Sequence, residues 1–73
     1  MAELSRAARS QDLSSRQLEI LRLIADGVPS KETVASLSMS QATLSRQLRQ
    51  VFDLLGVDDR AHAIAEAYRK NLL

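Results

Sequence analysis

The chain has 73 residues, a net charge of +1, one Phe, one Tyr, and neither Trp nor Cys. This length leaves room for one domain, and the lack of cysteine excludes disulfide bonds, thiolate metal sites and a cysteine nucleophile. No apolar run approaches the roughly 20 residues of a membrane span, and no secretory signal opens the chain. We therefore expect a cytoplasmic protein without a membrane segment.

The composition favours an all-α fold. Two glycines, one proline and no sustained alternation of β-branched residues leave little material for strands. Residues 1–12 carry Arg6 and Arg9 among small and polar residues and lose helical periodicity at their end. We expect them to form a flexible N-terminal arm or linker, with a phosphate contact of this basic arm as the alternative. Residues 13–73 are expected to form the domain.

The first helix is predicted from its capping residues. Ser14 and Gln17 have the spacing of a capping box, and Leu13 can pack on Leu18 as a hydrophobic staple. Gly27 is expected to end the helix in the left-handed conformation. Pro29 then redirects the chain, because proline cannot continue a helix.

A second, short helix is predicted from about residue 31 to residue 37, with Ser30 as its cap. Three linking residues, 38–40, lead to a longer helix that Ser40 caps and Gly56 ends. Two helices at this spacing are typical of a helix-turn-helix, although plain helical hairpins share it.

The third helix, about residues 41–55, has one apolar side and one polar side. A polar outer side alone is most simply a solvated surface. The apolar stripe has helical period and consists of Leu44, Leu48, Val51, Phe52 and Leu55. The opposite side carries Thr43, Arg46, Arg49, Gln50 and Asp53.

The last helix is expected to start after Asp59, its cap. Its stripe of small and apolar residues either completes the monomer core, packs on a second copy, or does both. The stripe consists of Ala63, Ile64, Ala67 and Tyr68, extended by Leu72 and Leu73.

Several ordered blocks of the chain resemble the LuxR/NarL/FixJ-type (GerE-like) DNA-binding domain. Residues 13–27, Leu-Ser-Ser-Arg-Gln-Leu-Glu-Ile-Leu-Arg-Leu-Ile-Ala-Asp-Gly, resemble the family opening Leu-Thr-x-Arg-Glu-x-Glu-Val-Leu-x-Leu-x-Ala-x-Gly. Residues 31–32, Lys-Glu, stand where the family has Lys-Glu-Ile-Ala. Residues 40–44 resemble Ser-x-x-Thr-Val, and residues 55–60 resemble Leu-Gly-Val-x-x-Arg. The resemblance extends over about residues 13–68.

This resemblance implies a four-helix helix-turn-helix domain that binds double-stranded DNA, with the third helix in the major groove. It also implies a homodimer through the last helix, and RNA polymerase is a further candidate partner. Arginine can bond guanine bidentately, and glutamine suits adenine. The implied base contacts are Ser45, Arg46, Arg49 and Gln50, and the implied phosphate contacts are Ser30, Lys31, Thr43 and Gln47. The implied dimer interface consists of Ala63, Ile64, Ala67 and Tyr68.

The chain departs from the family pattern in charge. Ser45 replaces a lysine, Gln47 replaces a common histidine, and the Lys-rich end of the third helix becomes Asp53-Leu54. Each lost phosphate contact weakens binding, and the further acidic residues Asp58 and Asp59 follow. Leu54 has two interpretations, extra core burial or a contact with a partner.

An enzymatic function is not expected. His62, the single histidine, has no metal-ligand spacing to other residues, and neither glycine belongs to a phosphate-binding loop. No cofactor, metal or catalytic residue is therefore predicted. Two functions remain. The first is a sequence-specific transcription regulator or its effector domain. The alternative is a degenerate helix-turn-helix that acts as a protein-interaction module or inhibits a full-length regulator.

Overall fold

The computed structural model describes residues 13–73, which form four α-helices. These are α1 (Ser15–Ala25), α2 (Ser30–Leu37), α3 (Gln41–Leu55) and α4 (Arg60–Arg69). The predicted all-α, four-helix fold is confirmed. The arm predicted for residues 1–12 lies outside the described residues. None of the four helices is both long enough and apolar enough to cross a membrane.

Three of the predicted helix caps are confirmed. The Ser14 hydroxyl accepts the Gln17 backbone N–H, and the Gln17 side chain accepts the Ser14 N–H, both at 3.0 Å. Ser40 accepts the N–H of Thr43 at 3.1 Å, and Asp59 caps α4 in the same way. These bonds satisfy N–H groups that have no partner inside a helix.

The predicted cap of α2 is wrong by one residue. Ser30 is the first residue inside α2, and Pro29 is the capping position without a side-chain hydrogen bond. The carbonyl oxygen of Pro29 accepts the N–H of Thr33 at 2.9 Å, which closes the first turn. Proline is tolerated at this position because a capping residue donates no intrahelical N–H bond, so the missing N–H of proline leaves no bond unmade.

Left-handed residues end the helices and turn the chain. Gly27 has a φ of 81° and Gly56 a φ of 70°, as their predicted roles require. Ser38 takes the same conformation, with a φ of 54°, in the turn between α2 and α3. After α4, Asn71 has a φ of 60° and turns the chain. Leu72 therefore reaches the core from a turn beyond the last helix.

The core consists of two apolar clusters, and α1 and α3 contribute to both. We call them the upper cluster, formed by α1, α2 and α3 with Ile64 of α4 packed on it, and the lower cluster, formed by α1, α3 and α4. The buried residues of the upper cluster are Ile20, Ile24 and Leu44. Those of the lower cluster are Leu13, Leu21, Val51, Leu55, Ala63 and Ala67. Leu54 packs half-buried on the lower cluster, which confirms the core interpretation of this residue.

A hydrogen bond from Arg16 fixes the end of α2. The Arg16 guanidinium donates to the carbonyl oxygen of Leu37, the last residue of α2, at 3.0 Å. Carbonyl groups in the last turn of a helix lack intrahelical partners and carry partial negative charge. The side chain of Arg16 therefore ties α1 to the turn that leads into α3.

Thr33 is a buried polar residue without a partner. Its exposed fraction is 0%, and its hydroxyl oxygen makes no hydrogen bond within residues 13–73. The family pattern has isoleucine at this position. A buried hydroxyl without a partner costs about 1–3 kcal/mol of desolvation. Thr33 is therefore a local weakness in the packing of α2.

We predict that Thr33→Val raises the free energy of unfolding by about 1 kcal/mol, because the shape is kept and the unsatisfied hydroxyl is removed. Urea denaturation followed by circular dichroism measures the change. Thr43→Val is the matched control. The Thr43 hydroxyl is hydrogen-bonded to Ser40, so this variant should not gain stability. A lower midpoint for Thr33→Val would contradict the prediction.

Candidate nucleic-acid interface

The polar side of α3 is held outward by the burial of its apolar side. Leu44, Val51 and Leu55 are buried in the core. Because these residues recur at helical period, the opposite side of α3 faces away from the core. The four predicted base-contact residues are all exposed: Ser45, Arg46, Arg49 and Gln50.

Arg46 and Arg49 lie on neighbouring turns of the exposed side. Neither forms an ion pair with another residue in the described part of the chain. An open groove of about 410 Å³ runs beside Arg49, between α3 and the loop that follows it. Asp53 and Asp58 also line this groove, so the positive potential of the outer side decreases toward the end of α3.

The start of α3 presents hydrogen-bond donors. Ser40 donates its hydroxyl hydrogen to the Thr43 hydroxyl oxygen at 3.0 Å. Thr43 accepts in this bond, so its own hydroxyl hydrogen can be donated to an acceptor outside the protein. At the start of α2, Lys31 is exposed and Ser30 is half-buried. The two helix N-termini, with their positive dipole ends, favour anions at these positions.

Gln17 connects α1 to α3, a contact that sequence reasoning missed. Its side-chain nitrogen donates to the side-chain oxygen of Gln47 at 3.0 Å and to that of Gln50 at 3.1 Å. Gln17 is buried, with 7% of its surface exposed. The capping box was visible in the sequence because its partners are three residues apart. The bonds to α3 span 30 residues or more and leave no periodic signal.

For two of the four predicted dimer-interface residues, the structure favours the alternative reading, a place in the monomer core. Ala63 and Ala67 are 1% and 0% exposed and belong to the lower cluster, so their surface is used within the monomer. Ile64 is half-buried against the upper cluster. Tyr68 is 57% exposed, so the prediction stands for Tyr68 and for the exposed part of Ile64.

The exposed side of α4 carries another apolar stripe. Ala61, Ala65 and Tyr68 are exposed, and their spacing of four and three residues places them along one side. We name Ala61, Ile64, Ala65 and Tyr68 the α4 stripe.

Beside this stripe, Arg69 donates two 2.7 Å hydrogen bonds to the Glu66 carboxylate. These bonds lower the pKa of Glu66, and burial opposes them in part.

His62 lies on the surface, and its ring nitrogen is 3.2 Å from the Asp59 carboxylate. Within residues 13–73 no group of three His, Cys, Asp or Glu side chains is placed to hold a metal ion.

The pair α2 and α3 forms a helix-turn-helix whose second member, α3, exposes two arginines. This arrangement is typical of helix-turn-helix regulatory proteins. Residues 11–67 match the family described as bacterial regulatory proteins, luxR family. This match extends over well more than half of the chain. The chain therefore belongs to the luxR family, which is a family of regulatory proteins and not of enzymes.

Named relatives and a solved structure are similar to the chain. The probable transcriptional regulatory protein NarL of Mycobacterium tuberculosis is 39% identical over 61 residues, which is 84% of this chain and 28% of the relative. The transcriptional regulatory protein LiaR of Bacillus subtilis is 35% identical over 63 residues, or 86% of this chain and 30% of the relative. The crystal structure of the response regulator ChrA of a heme-sensing two-component system superposes with a TM-score of 0.80 at 36% identity.

The ChrA match includes 84% of this chain and 30% of that chain. The chain thus spans less than a third of the length of these relatives.

Proposed function

We propose that the chain is the DNA-binding effector domain of a sequence-specific transcription regulator, with α3 as the recognition helix in the major groove. The observation that carries the proposal is the exposure of Arg46 and Arg49 without an ion-pair partner among the described residues. An α-helix fits the major groove of B-DNA. The core packing of α3 leaves the arginine side free to enter it.

Within this proposal, the exposed residues of α3 have distinct roles. Arg46 and Arg49 bond guanine through O6 and N7, and Ser45 contacts an adjacent base or sugar. Gln50 donates to a base acceptor, because its own side-chain oxygen is bonded to Gln17. Gln47, whose oxygen also accepts from Gln17, donates its side-chain N–H hydrogens to phosphate.

The start of α2 and the start of α3 hold the DNA backbone in this proposal. Lys31 supplies the charge, while Ser30 and Thr43 supply hydroxyl donors close to helix N-termini. Phosphate contacts fix the position of a protein on DNA and do not carry sequence information. The sequence preference is therefore assigned to the middle of α3.

We further propose that two copies associate through the α4 stripe. Tyr68 offers a large apolar surface with a polar tip, a residue type enriched at protein interfaces. Ala61 and Ala65 beside it allow a second helix to approach closely. RNA polymerase stays a predicted partner.

The deciding experiment is a fluorescence-anisotropy titration of the chain with a nonspecific duplex at 50 mM and 200 mM salt. Three cationic contacts from one copy, by Lys31, Arg46 and Arg49, give a slope of about −2.7 in log K against log salt. This slope corresponds to binding that is roughly 40-fold weaker at the higher salt. No DNA affinity at 50 mM salt, together with stable association with a full-length regulator, would favour the protein-interaction module instead.

We predict that Arg49→Ala weakens binding to a selected DNA site by about 1–3 kcal/mol and relaxes the preference at one base pair. The measurement is a competition titration with the selected site and its single-base variants. Arg22→Ala is the control with the same loss of charge, because Arg22 is exposed beside a depression between α1 and α2. If both variants weaken all sequences equally, Arg49 does not read a base.

We predict that Ala65→Lys abolishes self-association without reducing the thermal stability of the monomer. Its side chain is exposed in the middle of the α4 stripe, so a lysine puts charge into the contact and leaves the core unchanged. Sedimentation equilibrium measures the dimer fraction with and without DNA. Ala35→Lys makes the same change at an exposed position of α2 and should leave association intact. Equal dimer fractions in the two variants would place the interface elsewhere.

A further inference from the structure

We propose that Gln17, which lies in α1, sets the base preference of α3 by fixing the direction of the Gln47 and Gln50 side-chain amides. This inference rests on the proposed DNA-binding function. Gln17 is a positioning residue in it, since it acts through side chains of another helix. The two glutamines of α3 then present only N–H donors to the DNA, and their oxygens are turned toward α1.

The orientation of the three side-chain amides follows from the one group in the network that can only donate. The backbone N–H of Ser14 can only donate, so the group 3.0 Å from it must be the side-chain oxygen of Gln17. The Gln17 nitrogen therefore points the other way, toward α3. That nitrogen carries two hydrogens and accepts none. Its neighbours at 3.0 Å and 3.1 Å must then be the oxygens of Gln47 and Gln50.

This arrangement removes one contact that the sequence predicted for Gln50. A glutamine that reads adenine bidentately needs its oxygen for N6–H and its nitrogen for N7. The oxygen of Gln50 is held by Gln17, so the nitrogen alone faces outward. An N–H donor suits O6 and N7 of guanine, N7 of adenine or O4 of thymine, whereas cytosine offers only a donor in the major groove. Gln50 should therefore disfavour cytosine and lack the bidentate preference for adenine over guanine and thymine.

The family pattern has glutamate where this chain has Gln17, which suggests the decisive substitution. A carboxylate keeps the capping bond, because glutamate and glutamine serve equally at this position of a capping box. A carboxylate has no hydrogen to donate, so it would accept N–H bonds from Gln47 and Gln50. Both amides would turn over, and their oxygens would face the DNA.

The test is selection of binding sites from a random duplex library with the wild-type chain and with Gln17→Glu. The base position read by Gln50 is identified as the one at which Gln50→Ala loses its preference. At this position the ratio of adenine and cytosine to guanine and thymine should rise about 3- to 10-fold in Gln17→Glu, the equivalent of one hydrogen bond. The double variant Gln17→Glu/Gln50→Ala should show no preference there.

The control for charge is Ser15→Glu, which adds one negative charge at an exposed residue of the same helix turn. It should weaken binding to all sequences equally and leave the base preference unchanged. Binding of Gln17→Glu with the wild-type preference would overturn this inference and leave the proposed function standing. A wild-type chain without salt-dependent DNA binding would overturn the proposed function and this inference with it.

A second measurement uses the wild-type chain alone, without DNA and without any substitution. Hydrogen exchange of the side-chain amides, followed by NMR on the wild-type chain, should show slow exchange for the Gln17 NH₂ and fast exchange for those of Gln47 and Gln50. Protected NH₂ groups at Gln47 and Gln50 with an unprotected Gln17 would overturn the inference.

Discussion

The structure depends on the burial of one side of α3 in both halves of the core. Leu44 joins the upper cluster, and Val51 and Leu55 join the lower one. Burying each such side chain contributes roughly 1.5–3 kcal/mol, so a rotation of α3 would lose contacts in two places at once. The direction of Arg46 and Arg49 is therefore set by apolar packing on the far side of the helix.

Local signals in the sequence were sufficient to predict the four helices. Tertiary contacts decided which of their side chains are buried and which face outward. The caps at Ser14, Ser40 and Asp59 involve partners three residues away, so spacing alone predicted them. The error at Ser30 arose because proline also begins helices, and the Pro29 carbonyl closes the first turn one residue earlier. Patterns could not separate the two sides of α4, since alanine suits a core and a surface equally. Only docking on α1 and α3 distinguishes Ala63 from Ala65.

Two buried polar side chains show how differently such groups can affect a small domain. Gln17 has its oxygen and both of its hydrogens bonded within the protein, so its burial leaves no polar group unsatisfied. Thr33 is equally enclosed, yet its hydroxyl lacks a partner in the described residues. The first residue adds a specific connection between α1 and α3, and the second lowers stability without forming one. A complete set of hydrogen bonds is what makes a buried amide able to orient its neighbours.

The distribution of charge argues for binding by more than one copy. The proposed DNA-binding surface has Lys31, Arg46 and Arg49, while Asp53 and Asp58 line the groove at its edge. With so few cations, contacts to the DNA phosphates contribute little to the affinity of a single copy. Joining two copies makes the second binding event intramolecular and raises avidity without any new contact to DNA. The α4 stripe lies on a different helix from the arginines, so a second copy bound there leaves the polar side of α3 uncovered. In the proposed arrangement, affinity would come from pairing and sequence preference from the middle of α3.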